Sequence, residues 1–123
     1  LIDASFRYSD LSPEERGEQF YTDLGCNGCH SLDGSPGVGP TWQGIWMREE
    51  MLTDGTTVTV DEEYIRDSIL NPDAQIVQGF NPGVMSAQDH AGRIADLEAQ
   101  ILASEGEEMD VIADLIAFMQ TLE

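Results

Sequence analysis

Cys26-Asn27-Gly28-Cys29-His30 is the one stretch in which two thiols and an imidazole stand at a spacing that does chemistry. It reads C-x-x-C-H, the pattern for covalent attachment of a c-type haem. Two thiols three positions apart on one helical turn can each add to a vinyl group of the same porphyrin. The next residue then offers its imidazole to the iron as an axial ligand. Gly28 carries no side chain to collide with a large planar group. Two other readings find less support. A thioredoxin-like pair wants a βαβ setting, whereas the residues before Cys26 have helical periodicity. A zinc site wants two further ligands, and the chain has no other cysteine and one other histidine, His90.

Iron held by His30 has a second axial face, where a thioether raises the reduction potential. Of the five methionines, Met109 and Met119 fall in or beside an amphipathic segment that calls for packing, and Met47 and Met51 follow a tryptophan-bearing loop. Met85 ends a loop stiffened by Pro82 and Gly83 and is the leading candidate for the second ligand, with His90 or an open position as the alternatives. His90 itself is expected on the surface of a helix. A proximal histidine normally donates its other ring N–H to an acceptor, and the Pro40 carbonyl in the loop after His30 suits that role. Trp42 and Trp46 can pack on the edge of the group and donate to a propionate, or serve as core. Arg66 can reach a propionate, or pair with Glu62 one turn earlier.

These residues need elements to carry them. Residues 1–11 lack periodicity and read as a tail or linker, leaving residues 12–123 as one domain. Ser12-Pro13-Glu14-Glu15 is a helix start with a capping box. The helix runs to about Leu24, with Phe20, Tyr21 and Leu24 toward the core, and Gly25 ends it. Gly17 permits close approach of another backbone. Residues 31–44 form a Gly/Pro-rich loop, and residues 52–60 read as a small hairpin about Asp54-Gly55. Asp61 starts a helix that ends at Asn71-Pro72. Residues 86–104 suggest a further helix with Ile94, Leu97, Ile101 and Leu102 as an apolar stripe. A last helix, about 109–122, has a broad apolar face and should pack on the first. The class is all-α with one small hairpin.

The 123 residues include 24 acidic and 5 basic ones, for a net charge of −19. A surface of that sign repels nucleic acid and anionic lipid, and both are set aside as partners. No run approaches the roughly 18 apolar residues of a membrane span. No leader is visible and the chain begins with Leu1, so an excised or processed segment is expected.

Taken together, Gly17 and Phe20 on a capped helix, Cys26-x-x-Cys29-His30, Gly39-Pro40, a later Met85 and a C-terminal helix resemble class I cytochrome c. The run from Gly39 to Gly44, the Thr-rich hairpin, the segment from Tyr64 to Pro72 and the loop ending at Met85 are similar to one subgroup, the cytochrome c domain fused to subunit II of caa-type haem-copper oxidases. The resemblance implies one covalent haem c on Cys26 and Cys29, with His30 and Met85 as iron ligands. It implies an electron-transfer role between a donor (a cytochrome or iron–sulfur protein) and the binuclear copper centre of a cupredoxin domain beside the oxidase catalytic subunit. It also implies an extracytoplasmic location, tethered through an upstream region. A free-standing shuttle or the haem module of a periplasmic dehydrogenase is the alternative, and a haem sensor with an open position is a third. Two departures stand out: Ser86 follows Met85 where the family has proline, and the segment 86–108 adds a helix.

Overall fold

Ser12 caps the first helix reciprocally. Its hydroxyl accepts from the Glu15 N–H (3.3 Å), while the Glu15 carboxylate accepts from the Ser12 N–H (3.0 Å). In the computed structural model, which describes residues 6–123, this helix α1 spans Pro13–Asp23. Gly25, at φ +77°, then turns the chain into a 3-10 turn, Cys26–Gly28, so the cysteines lie directly beyond the helix end. A left-handed residue costs glycine nothing, which is why the stop falls there.

Two short antiparallel strands follow, β1 (Glu49–Met51) and β2 (Thr57–Thr59), with Glu50 opposite Val58. The hairpin thus begins earlier than the expected 52–60. Its first strand, Glu-Glu-Met, has no apolar alternation to announce it, and Leu52 to Thr56 form the connection around Gly55. Helix α2 (Glu62–Leu70) is capped by the Asp61 carboxylate, which accepts from the Tyr64 N–H at 2.9 Å. The expected helix over 86–104 divides: Ser86–Gln88 is a 3-10 turn, and α3 proper is His90–Glu105, capped by Asp89 and stopped by Gly106 at φ +73°. Leu102 is exposed, so the buried stripe of α3 is Ile94 and Ile101 with Leu97 half-buried. Helix α4 (Val111–Met119) closes the chain.

The main packing contact joins α1 to α4. A Cβ added at Gly17 would lie 2.0 Å from the Asp114 carbonyl oxygen, so the helices cross with backbone against backbone. Arg16 reinforces the crossing, donating to both carboxylate oxygens of the buried Asp114 (2.9 and 3.3 Å). Phe20 and Tyr21 from α1, Leu24 just after it, and Val111, Ile112, Leu115 and Phe118 from α4 form the centre of the core, which Trp42, Val60, Ile65, Ile69 and Ile94 extend.

Of the expected tail, residues 1–5 lie outside the described residues, and residues 6–11 dock on the body. The Glu105 carboxylate accepts from the N–H groups of Tyr8 and Ser9 (3.0 and 2.8 Å), and the Tyr8 ring stacks on Phe20 at 4.8 Å. Among the described residues the molecule has four α-helices and one two-stranded sheet, which is a mostly helical fold. None of those helices is long and apolar enough to cross a membrane.

Candidate functional site

A largely apolar cleft opens between the turn after α1, the loop before β1, α2, and the loop before α3. Cys26, Cys29, His30, Met85 and His90 all line it. The two thiols are not bonded to one another. Burial pushes the Cys26 thiol up to about 11, the reverse of what a thioredoxin-like nucleophile requires. Among the described residues no group of three or more His, Cys, Asp and Glu side chains is placed to hold a metal ion by itself, so a tetrahedral zinc site lacks its ligands.

His30 is held on several sides. The expected partner is present: His30 Nδ1 lies 2.7 Å from the Pro40 carbonyl oxygen. A carbonyl only accepts, so Nδ1 carries the proton and the lone pair resides on Nε2. Burial lowers the pKa of the ring, the Pro40 bond opposing it in part, and the imidazole is neutral at pH 7. The Tyr21 hydroxyl donates to the His30 carbonyl, and Trp42 lies beside the ring with centroids 5.6 Å apart. Gly39 completes the mounting. A Cβ there would fall 2.5 Å from His30 Cε1 and 2.8 Å from Nδ1, so the ring lies against bare backbone. The loop is tied back to the motif by bonds from the Gly39 N–H to the Cys29 carbonyl (2.9 Å) and from the Trp42 N–H to the Ser31 carbonyl (2.8 Å).

Met85 is half-buried and packs against the core at the end of its loop. One side of that loop is pinned to the hairpin. The Thr53 N–H donates to the Ile76 carbonyl and the Gln78 N–H to the Met51 carbonyl, both at 2.8 Å. The other side is stapled by Asp73, whose carboxylate accepts from the Gly83 N–H (2.8 Å) and the Ser86 hydroxyl (2.9 Å). Ser86, the departure from the proline of the resembling family, therefore fixes the loop through a hydrogen bond rather than through a ring.

One expectation changes, and two open alternatives are narrowed. His90, expected on the surface, is 9 % exposed and lines the cleft as the first residue of α3. Its Nδ1 is buried without a hydrogen-bond partner among the described residues. Arg66 does not line the cleft. It pairs with Glu62, as the simpler reading held, and also with both oxygens of Asp110 (3.2 and 2.7 Å), away from the cleft lining. Trp46 is half-buried against the core, and Ile45, one residue earlier, lines the cleft in its place. Trp42 is buried and lines the cleft.

The cation that does face the cleft is Arg48, which the sequence did not single out. It donates to the Gln43 and Thr41 carbonyls (3.0 and 3.1 Å) and to Glu50, so three of its five N–H groups are placed by the protein and two remain for a ligand. No motif marks Arg48. Its position follows from the loop closing on β1, which is a tertiary fact.

These residues fit a haem. Two thiols, a tautomer-fixed imidazole and a thioether belong to residues that line one cleft with Arg48 on its wall, and the lone pair of the His30 imidazole is on Nε2. No protein-family model matches the chain, and no curated protein matches it.

Proposed function

We propose that this chain is an electron carrier for one covalent haem c, which Cys26 and Cys29 would attach through thioether links and whose iron His30 and Met85 would hold. The observation that carries this reading is the convergence of Cys26, Cys29, His30 and Met85 on a single cleft, although Met85 is far from the motif in sequence. When bound, the haem supplies a one-electron centre whose charge changes by one with little rearrangement. The chain's own residues do the rest. Pro40 fixes the tautomer of the His30 ring and Gly39 makes room for it, so the lone pair is on Nε2, and neutral His30 is competent to donate without losing a proton. Asp73 and Ser86 fix the backbone on either side of Met85, which limits the reorganisation that accompanies a change of charge. Trp42, Ile65 and Ile69 keep the cleft wall apolar, and Arg48 is the cation suited to a propionate, in place of Arg66.

The resemblance extends the proposal. The donor is a cytochrome or iron–sulfur protein, and the acceptor is the binuclear copper centre of a cupredoxin domain in a terminal oxidase, on the extracytoplasmic side of a membrane. The chain performs no catalysis of its own in this reading.

Expression with haem-attachment machinery tests the core of the proposal. The wild type should keep haem-associated peroxidase staining on a denaturing gel, and Cys26→Ala with Cys29→Ala should abolish it. Met85→Ala should retain covalent haem, lose the thioether-to-ferric-iron charge-transfer band and show a lower potential. Staining that survives removal of both thiols would sink the attachment claim, and an unchanged band and potential would sink the ligand claim. Rapid reduction of a soluble binuclear-copper domain by the ferrous protein supports the oxidase setting, whereas its absence favours a free-standing shuttle.

A further inference from the structure

His90 has no role in the function proposed above, yet its surroundings require one. It is nine-tenths buried, it lines the same cleft as His30 and Met85, and Nδ1 has no hydrogen-bond partner among the described residues. A buried polar atom left unpaired is destabilising, and a native fold keeps one where a ligand or a reaction uses it. Ordinary core packing does not account for the residue either, because a leucine or methionine at that position would fill the wall without the penalty. Its backbone is defined on both sides. Asp89, in a left-handed conformation at φ +49°, caps α3 directly before it, and the 3-10 turn Ser86–Gln88 joins it to Met85. The two possible donors thus stand at opposite ends of one short turn.

We propose that His90 is a reserve iron ligand: its imidazole would hold the iron together with His30 whenever the Met85 thioether does not. The proposal rests on the haem reading given above. It assigns a purpose to the orphaned imidazole and to the helix α3 that delivers it, the helix by which this chain departs from the family it resembles. The exchange is a substitution of one neutral donor for another and needs no oxidant, reductant or proton.

The test compares haem-loaded wild type, Met85→Ala, His90→Ala and the double variant by optical and paramagnetic resonance spectra and by CO binding to the reduced protein. Met85→Ala should remain low-spin with a bis-imidazole signature and bind CO at least about tenfold more slowly than the double variant, since a position occupied nine-tenths of the time is open for one-tenth. His90→Ala alone should keep the thioether charge-transfer band. The double variant should be high-spin, and added free imidazole should restore its low-spin spectrum. His90→Gln, which keeps a polar side chain of moderate size, replaces His90→Ala should that variant fail to fold. A high-spin Met85→Ala that binds CO as fast as the double variant would overturn the proposal while leaving the haem reading intact. Loss of the low-spin spectrum in His90→Ala alone would overturn the order of the two ligands. Failure of the wild type to retain haem would overturn the underlying reading instead.

Discussion

Gly39 carries a constraint that is chemical in its consequence. The His30 ring lies flat on the Gly39 backbone, so the smallest possible addition, a methyl group, would overlap Cε1 and Nδ1. The ring must tilt or the loop must lift, and either one strains the bond to the Pro40 carbonyl. Gly39→Ala should therefore cost about 1–3 kcal/mol as an overpacking change, read as a lower urea midpoint. It should also broaden the Soret band of the haem-loaded protein by loosening His30; an unchanged midpoint and spectrum would show that the loop yields without penalty. At this scale the sequence revealed the groups with a fixed spacing and hid those placed by folding. Cys26, Cys29 and His30 are a motif, and Pro40 follows from the need of a proximal imidazole for an acceptor. His90 read as a surface residue because its neighbours Gln88, Asp89 and Arg93 are polar, and burial of one helix-initial side chain leaves no periodic trace. Arg48, given no role from the sequence, faces the cleft where Arg66 was a candidate, for a similar reason. The partner that commits Arg66, Asp110, lies far along the chain, on the residue that caps α4.

Among the elements, α1 and α2 were legible because each announces its start with a capping residue, and α4 because it carries a broad apolar face. The hairpin and α3 were legible in kind and shifted in extent. β1 is held by pairing to a Thr-rich partner and by the Arg48–Glu50 ion pair rather than by apolar alternation. The crossing of α1 and α4 yields a sharper prediction. Alanine in a helix interior is favoured over glycine by about 1 kcal/mol, so Gly17→Ala would stabilise an isolated α1. In the protein the new methyl would meet the Asp114 carbonyl oxygen at 2.0 Å and Phe118 Cβ at 2.6 Å. Both are atoms of another helix that cannot swing aside. The clash outweighs propensity, and the variant should lose roughly 2 kcal/mol or more net, measured by chemical denaturation. A gain in stability would show that the helices are free to slide apart.

Over the whole molecule the dominant quantity is charge. The five arginines cannot balance 24 carboxylates. The ion pairs they form join Arg16 to Asp114, Arg48 to Glu50, and Arg66 to Glu62 and Asp110. The mostly buried pairs of Arg16 and Arg48 are little screened by salt, and the exposed pairs of Arg66 are worth about 0–1 kcal/mol each, less than the mutual repulsion of the carboxylates left unpaired. Added salt screens both, and the repulsion is the larger sum. The thermal midpoint should therefore rise between low salt and about 0.5 M sodium chloride, where the Debye length is well below the 10 Å or so of a 0.1 M solution. A falling midpoint would mean that the arginine pairs outweigh the excess charge.

The contact between α1 and α4 also sets an order of events in time. The first helix finds its principal partner only in the last, so the loop that must close spans nearly the whole chain. Its entropic cost grows only slowly with length, but contacts so distant in sequence slow the folding reaction. During synthesis the core has no closing element until residues 111–119 emerge. The turn bearing Cys26 and Cys29 hangs from the end of α1 throughout that interval. The thiols still line an open cleft after α4 has docked, so what the final helix changes is how firmly their turn is held when they are modified.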